Sequence, residues 1–268
     1  MIAQCRLDRN NKKNRKMKII DLSVTISDQV KEPFPTTIIY ENHEESVENI
    51  KKVFFKGVEG DIFMNGKGLS GEVLTLTTHA GTHVDAPYHY SPICEGKPSR
   101  TIDEMPLDWF FHDGVVLDFT DKPDGYMFEP EDLIEKLASI NYTLKPFDIV
   151  LIRCDADQRI YNDDFVRIHV GASAKATHWL IDQGIKVMGT DGWGWDIPLH
   201  LQVEKFKKDP RPGIVWEAHY VGIEKEYCQI EKLANLKDLP SHGFKVSCFP
   251  AKIKGASGGW TRAVAIIE

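Results

Sequence analysis

The stretch His79-Ala-Gly-Thr-His83-Val-Asp85-Ala-Pro-Tyr-His89 constrains this chain more than any other. An even spread of the ten histidines over 268 residues would put fewer than one in a window of that length, and this window holds three with an aspartate. A straight helix does not gather them. At 100° per residue, Asp85 and His89 would lie about 120° and 80° around from His79. Gly81, Pro87 and the β-branched Thr82 and Val84 oppose a helix as well. On an extended chain all four polar side chains sit at odd positions and point the same way, yet His79 and His83 would stand roughly 13 Å apart at ~3.3 Å per residue. The chain must therefore bend, and Gly81 is the residue that permits it. The expectation is a cluster at the bent end of a strand over 72–78. Each histidine alone would be an ordinary polar side chain on a strand edge. Three in phase with a carboxylate match what a borderline divalent cation takes as ligands, imidazole nitrogen and carboxylate oxygen.

The rest of the chain sets the frame. β-rich runs recur at 18–26, 52–55, 72–78, 114–119, 148–153, 185–190, 244–249 and 262–267. One helix is expected from Pro130, with Leu133, Ile134 and Leu137 on one face, and a second from a cap at Ser173 to Gly184. Strands outnumber helices and regular βα alternation is missing, so the expected class is mixed α/β (α+β), strand-rich, not a barrel. No linker or repeat interrupts 19–268, which reads as one domain after a basic, disordered tail over 1–18 that holds seven Lys and Arg against Asp8. A net charge of −7 offers no general attraction to nucleic acid, and no apolar run approaches the ~18 residues of a membrane span. Cys5, Cys94, Cys154, Cys228 and Cys248 are odd in number and scattered, fitting neither a disulfide framework nor a thiolate zinc site. With no apolar core of a secretory signal after the basic residues, the expected compartment is the reducing cytoplasm.

The motif H-x-G-T-H-x-D-x-P-x-H resembles that of the cyclase-like metal-dependent hydrolases, a family that includes bacterial kynurenine formamidase and isatin hydrolase. The resemblance continues through Thr101-Ile102-Asp103-Glu104-Met105-Pro106-Leu107, 148–153, Gly189-Thr190-Asp191, Glu231-Lys232-Leu233-Ala234-Asn235-Leu236 and Phe249-Pro250-Ala251-Lys252. It implies a swivelling β/β/α fold and a homo-oligomer, dimer or tetramer. It also implies a first metal on His79, His83 and Asp85, and His89 as general acid/base. A second metal is implied on His219 and Glu231, with Asp85 bridging; zinc and manganese both suit such ligands, one or two ions per chain. This sequence departs from the formamidases in its Gly192-Trp193-Gly194-Trp195-Asp196 run and its closing Gly255-Ala256-Ser257-Gly258-Gly259-Trp260.

A metal with an open position brings the pKa of water towards ~7 and polarises a carbonyl, and a histidine near ~6.5 moves the protons. Such parts suit hydrolysis of an amide, lactam, lactone or ester; in reverse they suit ring closure with loss of water. Metal-activated water is expected in preference to a serine nucleophile. Trp193 and Trp195 are candidates to stack on an aromatic small-molecule substrate, whereas Arg153 and Lys252 read as paired surface residues. Two rivals remain. His83-x-Asp85 with His219 also fits the facial triad of non-haem iron oxygenases, and a metal-binding protein without activity would keep the ligands but has no need of His89.

Overall fold

The structure, a computed structural model, describes residues 17–268. The basic tail expected over 1–18 lies almost wholly outside them. A nine-stranded sheet runs in the order Lys18–Asp21, Val264–Ile267, His242–Ser247, Phe111–Asp118, Ile149–Arg153, Val187–Thr190, Cys228–Glu231, His83–Asp85 and Gly258–Trp260. The four strands from Phe111–Asp118 to Cys228–Glu231 are mutually parallel, and every other pairing in this sheet is antiparallel. The class is the mixed, strand-rich α/β expected.

Alternation along the central strands feeds two cores, as a period of two requires. Ile149 and Leu151 point into one, with Val116, Val187, Ile230 and Phe244. Val150 and Ile152 point into the other, with Val115, Leu117 and Met188. The second face is covered by the helices Pro130–Ser139, through Leu133 and Leu137, and Ala174–Asp182, through Ala176 and Leu180. Both helices start where the sequence places them: Pro130 is the first helical residue, and the Ser173 hydroxyl accepts from Ala176 N at 3.0 Å.

Two expectations are corrected, and one helix is added. The run 52–55 is not a strand but the end of helix Glu45–Phe54. Its start is fixed by Asn42, whose side-chain oxygen accepts from Glu44 N and Glu45 N, and acids in the first turn and lysines in the last complement the dipole. Those local signals outweigh the β preference of Val53 and Phe54. Second, Gly71–Thr75 does not carry the histidine cluster into the main sheet. It pairs with Thr37–Glu41 in a separate two-stranded ribbon, while His83–Asp85 is itself a strand of the nine. The bend between them is at Gly81, in the left-handed region at φ +60°. The added helix is Leu199–Lys208, which the sequence reading did not mark: Pro198 at its N-cap makes no side-chain bond. Among the described residues no helix is long and apolar enough to cross a membrane.

Candidate metal centre

Strand His83–Asp85 lies between Cys228–Glu231 and Gly258–Trp260, with Glu231 opposite His83 and Gly258 opposite Asp85. Directly opposite residues share a face, so the pairing brings Glu231 to the histidine side while Val84 points into the core. His83 Nδ1–H donates to the carbonyl of Gly81 at 2.9 Å, leaving the lone pair of Nε2 facing inward. That nitrogen is 3.2 Å from Asp85 Oδ1 and 3.6 Å from Glu231 Oε2. The turn that ends at Gly81 swings His79 back, so its Nδ1 is 2.7 Å from Asp85 Oδ1 and its ring centroid 5.0 Å from that of His83. The bend thus closes the gap a straight strand would leave.

Pro87 opens a single helical turn, Pro87–Tyr90, that carries His89. Its Nε2 lies 4.0 Å from Asp85 Oδ2, and its ring 4.2 Å from His79 and 5.7 Å from His219. His219 arrives from the opposite side. Its Nδ1–H donates to Asp196 Oδ2, and Asp196 in turn accepts from Ala218 N at 2.9 Å. The other ring nitrogen, Nε2, is 3.6 Å from Glu231 Oε1, which also accepts from Trp195 N at 3.0 Å. All six expected residues, His79, His83, Asp85, His89, His219 and Glu231, are therefore in one place.

Two sets of potential ligand atoms lie within 4.8 Å of one another: His79, His83 and Asp85, and then Asp85, His89 and His219. Asp85 belongs to both, as a bridging carboxylate would. The fit to a metal rests on what is left unsatisfied. His83 Nε2 and Asp85 Oδ2 are buried without any hydrogen-bond partner. A buried unpaired lone pair or carboxylate oxygen costs free energy, and two such atoms in one cluster, on nitrogen and oxygen donors, are what a divalent cation satisfies.

Burial and close charges shift the titratable groups of the site in opposite directions. Burial opposes charging His219, but its bond to Asp196 overrides this and raises it to about 9. At His79, burial is likewise outweighed by the Asp85 carboxylate, and the shift is upward. Burial would raise Asp85, yet His89, His79 and His83 hold it well below the usual carboxylate range. Glu231 is pushed up by burial and then by Asp85. His89 goes the other way, desolvated down to about 4, and so is neutral at pH 7.

The cluster opens on a cavity of about 650 Å³ whose apolar walls include Phe34, Trp193, Ile197, Leu199, Trp216 and Tyr220. The two tryptophans part company here. Trp193 lines the cavity, whereas the Trp195 indole is 1% exposed, packs edge-on to Phe128 and donates to Thr177 Oγ1 at 3.0 Å. As a stacking residue Trp195 is corrected: it is core, and it serves the site through its backbone N–H to Glu231. Arg153 is paired, as expected, with Asp155 and Asp118.

Two contacts escaped the sequence reading. Asp196 orients His219, and nothing in its spacing marks it. Ser257 Oγ is 2.9 Å from His79 Nε2, the nitrogen turned away from Asp85. A signal for it existed, because Gly255-Ala256-Ser257-Gly258-Gly259 matches G-x-S-x-G. Its context is not a nucleophile elbow: Ser257 leads into the strand Gly258–Trp260, not from a strand into a helix, and its backbone is not left-handed.

Residues 20–197 match the family described as "Putative cyclase". Kynurenine formamidase of Erythrobacter litoralis is 26% identical over 191 residues, covering 71% of this chain and 74% of that protein. Isatin hydrolase A from Labrenzia aggregata, bound to benzyl benzoate, aligns at TM-score 0.71 with 22% identity over 94% of each chain. Isatin hydrolase A from Ralstonia solanacearum aligns at TM-score 0.73 with 20% identity, over 94% of this chain and 92% of that one. At those identities the two structures speak to the shared fold.

Proposed function

The chain belongs to the cyclase family, and from that premise we propose that it is a metal-dependent hydrolase that opens an amide or lactam bond in a small aromatic molecule. The observation that carries the reading is the pair of buried, unpartnered atoms His83 Nε2 and Asp85 Oδ2 beside an apolar cavity. His79, His83 and Asp85 would hold one divalent ion; Asp85, His219 and Glu231 would hold a second. Zinc and manganese both suit the donors, and lactones or esters fall within the same chemistry. Bound there, the cation supplies Lewis acidity, lowering the pKa of water and polarising a carbonyl.

The chain's own residues do the rest. Gly81 O and Asp196, both acceptors, set the tautomer and direction of His83 and His219, and Ser257 Oγ holds the direction of the His79 ring. His89, neutral at pH 7, accepts a proton at Nε2 from the attacking water and returns it to the leaving nitrogen. Trp193 and its apolar neighbours seat the ring and exclude bulk water from the reacting carbonyl. The relatives' names, kynurenine formamidase and isatin hydrolase, support the same reading. A homo-oligomer rests on the family resemblance, and a reducing cytoplasm is supported by the free Cys94, Cys154, Cys228 and Cys248.

One observation favours a second reading. Ser257 Oγ, His79 and Asp85 form a hydroxyl–imidazole–carboxylate chain with links of 2.9 and 2.7 Å, the order of a serine triad. That reading leaves His83 Nε2 and Asp85 Oδ2 without purpose. Base uptake in a pH-stat separates the two, with an N-formyl aryl amide, isatin and an aryl lactone as substrates, each with and without chelator. Chelator-sensitive acid release from one of them is expected. Release that survives the chelator but not Ser257→Ala would establish the serine mechanism. Silence on all three by the metal-loaded protein would overturn hydrolysis in favour of ring closure, dehydration or a binding role.

A further inference from the structure

Lys232 follows Glu231 directly and is the only lysine or arginine among the described residues lining the cavity. It is 2% exposed, unusual for a lysine. Its ammonium donates to Glu32 Oε2 at 2.8 Å and to the carbonyl of His79 at 2.9 Å, and it lies 5.6 Å from the centre of the Trp193 ring. The backbone is held as firmly. Lys232 N donates to Gly192 O at 2.9 Å, its carbonyl accepts from Thr82 Oγ1, and its φ of +56° is a left-handed conformation a lysine rarely adopts. Glu32 comes from an irregular segment before Thr37–Glu41, and Glu32, Pro33 and Phe34 all line the same cavity.

A buried ammonium must be paired, and here the partner is a carboxylate of the same chain. A carboxylate-bearing ligand near Trp193 would have to displace Glu32 and leave that charge buried and unpaired, whereas a neutral ring meets apolar walls and an already balanced ion pair. Taking the cavity as the substrate site of the reading above, we propose that the Glu32–Lys232 pair is its charge filter. Glu32 is a specificity-determining residue that occupies the one lysine lining the cavity, so the cavity takes uncharged aromatic amides and excludes their carboxylate-bearing analogues.

The test is equilibrium binding of benzamide and benzoate to the metal-loaded full chain, read by tryptophan fluorescence, for wild type, Glu32→Gln and the double variant Glu32→Gln/Lys232→Met. Wild type should prefer benzamide. Glu32→Gln frees the ammonium and should shift the ratio towards benzoate by about tenfold or more, the scale of one charge-assisted hydrogen bond. The double variant removes both charges at similar volume and should lose that gain; it also controls for benzoate bound directly to the metal. Should Glu32→Gln not fold, Glu32→Ala makes the same comparison. An unchanged ratio in the folded single variant overturns the proposal, as does a gain that persists in the double variant or binding of neither probe to any of the three. A shifted ratio in a protein that hydrolyses nothing would strike the hydrolase reading and leave the filter standing.

Discussion

Among the described residues two clusters have the residue types and spacing to hold a metal, and they differ in what their atoms are already doing. In the first, the ligand atoms of Asp155, Asp157 and Asp191 lie within 4.8 Å of one another, as those of His79, His83 and Asp85 do in the second. Yet Asp191 accepts from Cys154 N at 2.9 Å and Asp155 N at 2.8 Å, and Asp157 accepts from Asn235 N at 2.9 Å. Asp155 is gripped by Arg153 through two bonds of 2.7 and 3.0 Å. Those carboxylates are consumed in tying loops to the ends of strands. At the histidine cluster, by contrast, the ring nitrogens on the far side are tied down while His83 Nε2 and Asp85 Oδ2 are left bare. Acidic density does not mark a site; organised, unspent donors do.

The contrast can be broken by substitution. The largest effect is expected at Asp85, shared by both ligand sets. Asp85→Asn should release bound metal, measured by elemental analysis, and lower kcat/KM by roughly 10⁴-fold or more, as when one member of a catalytic unit is removed. His89→Ala comes next: metal content unchanged and kcat reduced by about 10²–10⁴, the usual contribution of a general acid/base. If His89→Ala loses a metal ion, His89 is a ligand with Asp85 and His219 and the acid/base role passes elsewhere. The tryptophans extend the same logic to the cavity. Trp195→Ala should cost about 3–5 kcal/mol in a urea melt, as for other buried aromatic truncations, while Trp193→Ala should raise KM with stability nearly unchanged.

The smallest effect, and the sharpest on the comparison, is at Asp191. Burial pushes its carboxyl up to about 7, above the ~3.9 of an unfolded chain. Between those values the native state keeps a proton that the unfolded state has lost, so this group's contribution to stability falls as pH rises from ~4 to about 7. Asn cannot titrate. The Tm advantage of wild type over Asp191→Asn should therefore shrink between pH 5 and pH 8, with metal content the same in both. Parallel melting curves across that range would refute the assignment.

How much of this was legible follows from chain distance. His79, His83, Asp85 and His89 are near neighbours in sequence, and the failure of both regular periodicities already required a bend at Gly81. His219 and Glu231 were legible only through the family spacing, because what joins Glu231 to His83 is a strand pairing across the sheet. The strands that build the site, His83–Asp85, Cys228–Glu231 and Gly258–Trp260, have three or four residues each, too few for alternation to register. Ser257 and Lys232 act through contacts with His79 that are 178 and 153 residues apart in the chain. Trp193 and Trp195 looked alike on paper. The chain between them is irregular, with no strand alternation to follow, and it sends one to the cavity and one to the core.

The most direct test is to soak crystals of the protein in manganese and record anomalous diffraction. The account predicts a peak among His79, His83 and Asp85, with or without a second beside His219 and Glu231, and none at Asp155, Asp157 and Asp191. A peak at the three aspartates with the histidine cluster empty would contradict it.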